Sequence, residues 1–259
     1  MKFGGRDAPS ILGWSVEKVS VRWEKTLAEP DVDSFSKKIS GMLVEDVQRR
    51  AKFIRIILCS AELVIHLRMS GDIRVESDAL PLQPHDRLVV WFTNGFRLAF
   101  NDTRKFGRVW FLKEAANFFE GLGPEPLGGL TKNDFHTLLQ RHHRQIKPLL
   151  MDQRVVAGLG NIYTDEALFL AGIHPLKKSS AISKKQAGKL LQEIQAVLRK
   201  GIETNGASID WIYRGGQFQN ELHVYNRTGL ACHNCGAEIV KIKVGQRGTH
   251  FCPKCQPEG

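Results

Sequence analysis

Four of the five cysteines fall into two pairs, Cys232-x2-Cys235 and Cys252-x2-Cys255, separated by 16 residues. Each pair can form a knuckle whose two sulfurs face one ion, and two knuckles on a β-hairpin complete a tetrahedron, the spacing of a four-thiolate zinc site. Four protein ligands leave no position for water, so one structural zinc ion is expected. The competing use of such cysteines is disulfides or a redox pair. From Asn226 to the end there are five Lys/Arg against two Asp/Glu, a mild excess that favours nucleic acid. Cys59 lies in an apolar run and reads as a small buried hydrophobe.

Other chemistry-bearing residues are less decisive by type alone. Lys52 follows Arg49-Arg50 and opens an apolar strand, where an ammonium would be placed to meet an anion. The run Arg141-His-His-Arg144 offers positive charge, or only the solvated face of a helix. Met69 and Phe106 sit among strands and, taken alone, would be core residues. Gly158-Leu-Gly160 is, taken alone, only a weak turn signal.

The elements that must position these residues change along the chain. Val19, Val21 and Trp23 alternate, and residues 53–59, 63–67, 88–92, 97–100 and 108–112 are short β-branched or aromatic runs. Asn94-Gly95 between two of them is a hairpin signal. Many short strands with polar turns predict a sandwich or barrel. Residues 121–127 hold two glycines and two prolines and mark a connector. Beyond it the period becomes helical over 134–145 and 183–204, with Ala187, Leu190, Leu191, Ile194, Val197 and Leu198 as a core stripe. The Gly-punctuated stretch 155–175 suits two helices joined by tight turns. The expected fold is thus α+β and multidomain: a β-sandwich over 1–118, a helical domain over 119–225 and a zinc-ribbon hairpin over 226–259.

Composition narrows the partner. The 259 residues carry 37 Lys+Arg and 27 Asp+Glu, a formal net charge of +10, which favours a polyanion. With 42% hydrophobic and 25% charged residues the chain reads as globular. No run approaches the roughly 18 apolar residues of a membrane span. The start has no apolar signal region, and the cysteine content fits a reducing, cytoplasmic setting.

Several segments together resemble the formamidopyrimidine-DNA glycosylases, the family shared with endonuclease VIII. They are Val47-Gln-Arg-Arg-Ala-Lys52, His66-Leu-Arg-Met-Ser-Gly71, Asn101-Asp-Thr-Arg-Lys-Phe-Gly107, Gly121-Leu-Gly-Pro-Glu-Pro126, Gly158-Leu-Gly-Asn-Ile-Tyr163, Ala171-Gly-Ile-His-Pro175, Glu221-Leu-His-Val-Tyr225 and the cysteine module with Gln246-Arg247. They occur in family order over roughly residues 10–256. The resemblance implies an N-terminal β-sandwich, a helix–two-turn–helix domain and a zinc finger. It implies base excision repair of duplex DNA, with removal of oxidised purines (formamidopyrimidine, 8-oxoguanine) and abasic-site lyase activity. A monomer, a damaged-DNA partner, no membrane, no nucleotide cofactor and a place at the bacterial nucleoid follow from it.

The same resemblance assigns roles. Met69, Arg104 and Phe106 match residues that fill the void left by an extruded nucleotide, a task suited to apolar wedges and a planar cation. Asn161 and Tyr225 match residues on the phosphates flanking the lesion, and Lys147 matches a lysine at the domain junction. His85 and His142 occupy positions where family members contact DNA. Lys52 matches a proton donor in β-elimination, and Arg247 matches an arginine that grips the lesion phosphates and assists δ-elimination. The segment 205–218 corresponds to a lesion-capping region, with Gly215-Gly216 as hinge.

The opening departs from the family. There a proline amine exposed by removal of Met is the nucleophile and a neighbouring glutamate the acid. Here the sequence opens Met-Lys-Phe-Gly-Gly-Arg-Asp-Ala-Pro, and the match resumes near Ile11. The nitrogen of Pro9 is an amide and cannot be that nucleophile. One expectation is a misplaced start ahead of an ordinary glycosylase. Another is a lesion- or abasic-site-binding protein with impaired catalysis, in which Lys52 supplies a substitute amine. A third reading is a zinc-ribbon RNA-binding protein.

Overall fold

The computed structural model describes residues 9–206 and 216–258. The opening segment and most of the expected capping region lie outside them. The chain divides into two compact units, the first ending at Glu120 and the second beginning at Gly121.

The first unit is a sandwich of two sheets. Its strands are β1 (Val16–Val21), β2 (Leu27–Glu29), β3 (Val44–Arg50), β4 (Phe53–Leu58), β5 (Ala61–His66), β6 (Gly71–Ser77), β7 (Asp86–Phe92), β8 (Phe96–Asp102) and β9 (Arg108–Leu112), with helix α1 (Val32–Ile39) between β2 and β3. One sheet runs β1-β7-β8-β6, the other β2-β9-β5-β4-β3. Alternation decides the faces: along β4, Ile54, Ile56 and Leu58 are buried while Phe53, Arg55 and Ile57 are only half-buried. Ile65, Leu88, Leu98, Phe100 and Val109 fill the space between the sheets. The β7–β8 hairpin turns through Thr93, Asn94 and Gly95, with Gly95 at φ 79°, the left-handed position of a three-residue loop. Asp31 starts α1 by accepting a hydrogen bond from the Ser34 amide at 2.9 Å.

The second unit is helical with one hairpin. Helices α2 (Lys132–Gln140), α3 (Ile146–Met151), α4 (Asn161–Ala171) and α5 (Lys184–Glu203) enclose a core containing Phe135, Leu149, Val156, Leu168, Leu190 and Ile194. Ser183 and Gln186 form a reciprocal capping box at the start of α5. Gly172 ends α4 in the left-handed region at φ 70°. Strands β10 (Val240–Val244) and β11 (Arg247–Phe251) pair antiparallel over a small cluster of Phe169, Val224, Ile239 and two cysteines.

Three expectations need correction. The stretch 155–175 holds one helix, not two: residues 155–160 form turns that deliver α4. The helix expected over 134–145 ends at Gln140, so Arg141-His-His-Arg144 lies beyond it and is not a helix face. Cys59 is exposed in the turn after β4, because the apolar alternation stops at Leu58. No described helix is long and apolar enough to cross a membrane.

Candidate nucleic-acid interface and metal centre

In the first unit, three exposed side chains stand on two adjacent loops. Met69 is 65% exposed and Phe106 51%, so neither belongs to the core. Arg104 and Lys105 are exposed between them in sequence space, on the loop joining β8 to β9. Lys105 takes φ 60°, and its ammonium lies 3.9 Å from the centre of the Trp23 ring. Two large apolar side chains thus stand in water beside an arginine, where they are open to a partner. His85 is exposed, and its carbonyl accepts the Asp102 amide at 2.9 Å, which places it at the root of the same loop.

Lys52 sits in the turn between β3 and β4, after Ala51 at φ 51°. The next residue, Phe53, pairs with His66 across the β4–β5 ladder and packs edge-on against its ring at 4.8 Å. Burial, with the Arg68 and Lys52 cations close by, holds the His66 imidazole down at about 4. Its Nδ1 accepts the Arg68 amide at 3.0 Å. A neutral histidine beside Lys52 was not singled out by residue type or spacing.

In the second unit, the hairpin tip is tied to α3 and α4. The turn Gly245-Gln246 has positive φ at both residues, 55° and 64°, and sets Arg247 exposed at the start of β11. Glycine is required at 245, where a Cβ would lie 2.9 Å from Pro148 Cγ. Lys147 Nζ donates to the Gly248 carbonyl at 2.9 Å and pairs with Asp165 Oδ1 at 2.6 Å, both side chains being fully buried. Asn161 Nδ2 donates to the same carbonyl at 3.1 Å, and Asp165 Oδ2 accepts the His250 amide at 2.9 Å. Tyr225 packs edge-on against His250 at 4.8 Å. Lys147, Asn161, Tyr225 and Arg247 therefore meet around the first residues of β11, although they span 100 positions of chain.

Lys147 does not present its charge to solvent. Burial lowers its pKa, and the Asp165 carboxylate opposes that shift, so this lysine braces the hairpin instead of standing free for a phosphate. Glu166, next on α4, accepts the amides of His223, Val224 and Tyr225 at 2.8, 3.0 and 2.8 Å. Burial alone would raise the Glu166 carboxyl, yet hydrogen bonds from His223, Tyr225 and Val224 hold it below its ordinary value. Two consecutive buried acids thus hold the two segments that carry Arg247 and Tyr225. The sequence signal available for them was Asp-Glu inside an apolar helix. The amides at the start of α4 follow Gly160, and Gln153 fixes that turn by accepting from Gly158 N at 2.9 Å and donating to Leu159 O at 3.0 Å. His142 is half-buried after α2, its carbonyl accepting from Ser179 Oγ at 2.5 Å.

The four expected cysteines come together. Sulfurs about 2.3 Å from one tetrahedral ion stand about 3.8 Å apart. Here Cys232–Cys255 and Cys235–Cys252 are 3.9 and 3.5 Å apart, and all four sulfurs lie within 4.8 Å of one another. Burial pushes the Cys255 thiol up to about 12 and raises Cys252, whereas the backbone at Ala237 lowers Cys235 to about 7. Four sulfurs so placed need a cation to ionise together. The finger holds one structural zinc through Cys232, Cys235, Cys252 and Cys255.

Comparison with known proteins accounts for most of the chain. Residues 6–109 match the formamidopyrimidine-DNA glycosylase N-terminal domain, 122–212 the H2TH domain of the same proteins and 229–257 the zinc finger found in FPG and IleRS. A formamidopyrimidine-DNA glycosylase of Enterococcus faecalis is 38% identical over 255 residues, covering 95% of this chain and 91% of that protein. One from Herpetosiphon aurantiacus is 42% identical over 246 residues, covering 92% and 90%. The solved complex of Lactococcus lactis Fpg with DNA containing an abasic site superposes with a TM-score of 0.90 at 35% identity, covering 96% of this chain and 94% of that one. MutM bound to DNA containing carbocyclic 8-oxo-G gives 0.88 at the same identity. Sandwich, helical unit and thiolate finger agree throughout, and the chain belongs to the formamidopyrimidine-DNA glycosylase family.

Proposed function

We propose that the chain is a bifunctional DNA glycosylase and abasic-site lyase of base excision repair, acting on oxidised purines in duplex DNA. The observation that carries this reading is the exposed wedge of Met69, Arg104 and Phe106 in a chain whose relatives are bound to lesion-bearing DNA. Extruding a nucleotide leaves a gap that must be refilled. Phe106 can wedge beside the orphaned base, Arg104 can hydrogen-bond its edge with a planar fork, and Met69 can occupy the vacated stack. His85 lies at the root of that loop and is a secondary contact.

Grip on the backbone falls to the second unit. The start of α4 at Asn161, Tyr225 and the tip arginine Arg247 are grouped around one strand, where amide donors and a cation suit phosphate oxygens. Lys147 supports that group from beneath, and His142 is a peripheral contact. Zinc folds the hairpin that presents Arg247, which also assists elimination by neutralising phosphate. Lys52, beside a neutral His66, is the candidate to hold and deliver a proton at the sugar. We place this activity in a monomer without a nucleotide cofactor, at the nucleoid, in keeping with its bacterial relatives. An RNA-binding zinc ribbon would account only for the last residues, whereas the family match extends over most of the chain.

The test uses one duplex sequence in three forms: undamaged, with an abasic site and with 8-oxoguanine opposite cytosine. Preferred binding to the damaged forms, with scission at the lesion, is expected; borohydride trapping on the abasic form reports an attacking amine, and its loss in Lys52→Ala would assign that amine to Lys52. Damage preference without scission would remove the catalytic half. Equal binding to all three would overturn the reading.

A further inference from the structure

We infer that Asp102 and Ser70 form a buried clamp that couples the Met69 loop to the Arg104–Phe106 loop, so that the wedge acts as one body and sets the preference for damaged over intact duplex. The inference rests on the proposed wedge and concerns what holds it. Ser70 is 3% exposed and Asp102 1%, directly beneath side chains that are half-exposed or more. The β6–β8 register pairs Gly71 with Asp102, which brings the residue after Met69 to the base of the second loop.

A single carboxylate then serves both loops. Asp102 Oδ1 accepts a hydrogen bond from the Ser70 hydroxyl and another from the Arg104 amide at 3.2 Å. Asp102 Oδ2 accepts the Gly107 amide at 2.7 Å. The Arg104 amide also points at Ser70 Oγ, 3.3 Å away. Both ends of the loop 104–107 and the end of the Met69 loop therefore converge on one buried group. The Asp102 backbone is fixed in turn, its amide by the His85 carbonyl at 2.9 Å and its carbonyl by Arg87 Nε at 2.8 Å.

Packing repeats the convergence. A Cβ on Gly71 would come within 2.8 Å of the Phe100 ring, and one on Gly107 within 2.2 Å of the same ring. The two glycines let both loops close on Phe100, which is fully buried. Buried hydrogen bonds to a carboxylate are geometrically strict and rigidify what they join. A pre-set wedge avoids ordering two loops separately at the moment of insertion, and that saving appears only when there is a gap to fill. Asp102 and Ser70 are thus positioning residues, remote from the nucleotide themselves.

Ser70→Ala removes the tie between loops while leaving both amide bonds of the second loop to Asp102. Asp102→Asn keeps the shape and supplies one acceptor where two are needed. Affinity is measured for undamaged duplex and for a duplex with a tetrahydrofuran abasic analogue opposite 2-aminopurine, whose fluorescence reports wedge insertion. Loss of one hydrogen bond to a charged group predicts about a tenfold fall in preference for the abasic duplex in Ser70→Ala. Affinity for undamaged duplex is expected to stay at the parent value, because phosphate contacts carry it. The double variant is expected to lose no more than the more impaired of the two single variants, since the pair acts as a unit. Parental preference and fluorescence change in both single variants would overturn the clamp and leave the proposed function standing. Equal loss on both duplexes would overturn the positioning role in favour of general support. A parent chain that shows no abasic preference would overturn the proposed function, and the clamp's role with it.

Discussion

Asp165→Asn is the most informative single change in the second unit. Lys147 and Asp165 are both fully buried, 2.6 Å apart, and the same carboxylate holds the His250 amide of β11. Neutralising the acid leaves an ammonium in a dry site with no carboxylate partner among the described residues, held by neutral acceptors such as the Gly248 carbonyl. Breaking such a pair from one side costs about 3–5 kcal/mol. Against a typical domain stability of roughly 5–15 kcal/mol, that is about a fifth or more of what holds the unit together. The double variant Lys147→Met with Asp165→Leu removes both charges together and is expected to be less destabilised than Asp165→Asn alone. The assay is urea unfolding of the full chain, read by helical circular dichroism. Trp14, Trp23, Trp91 and Trp110 lie in the first unit, so in a background that replaces the fifth tryptophan, Trp211→Phe, tryptophan fluorescence reports that unit separately. Asp165→Asn should shift the helical transition and spare the fluorescence transition. A helical transition within 1 kcal/mol of the parent, using roughly that precision for extrapolated values, would refute the reasoning. So would a double variant less stable than the single one.

Three further outcomes follow from the same geometry. Chelation should release one zinc per chain and unfold the β10–β11 hairpin, because ion binding and local folding are coupled; metal release by a chromogenic chelator with DNA binding unchanged would contradict the placement of Arg247. His66 is held near 4 when folded, against 6.5 in an open chain, so the unfolded state takes up its proton first and stability falls as pH drops from above 6.5 towards 4. Partial exposure of the ring limits this to about 1–2 kcal/mol, and unfolding free energies at pH 4.5 and 7 should converge in His66→Gln relative to the parent. Gly107→Ala drives a methyl into the Phe100 ring and should cost about 1–3 kcal/mol in the sandwich, read as a lower thermal midpoint; an unchanged midpoint would show that the loop shifts freely.

How far the sequence carried the account depends on the range of each signal. The zinc site was legible in full, because four thiols at fixed spacing need only one hairpin to meet. Strands β4, β5, β7, β8 and β9 were legible from alternation and β-branched runs. Strand β3 escaped because its polar run Gln48-Arg49-Arg50 masks the buried Val44 and Val47. Residues 155–160 resembled a helix only because apolar residues adjoin glycines, and glycine there serves the turn that starts α4. Met69 and Phe106 show the limit of residue type: an apolar residue among strands is ordinarily core, and only their position on loops shows them exposed. Lys147 shows the converse, since nothing local announces Asp165 lying 18 positions later. The buried acids Asp102, Asp165 and Glu166 answer partners distant in the chain, so only the folded form identifies them as the braces of the site.

The central claim is that this chain levers one nucleotide out of duplex DNA and fills the gap from its sandwich. The most direct measurement is the atomic structure of the chain bound to an abasic-site duplex. The account predicts an extrahelical sugar, with Met69, Arg104 and Phe106 inside the stack and Arg247 on the flanking phosphates. A continuous stack with those three side chains turned away from the DNA would contradict it.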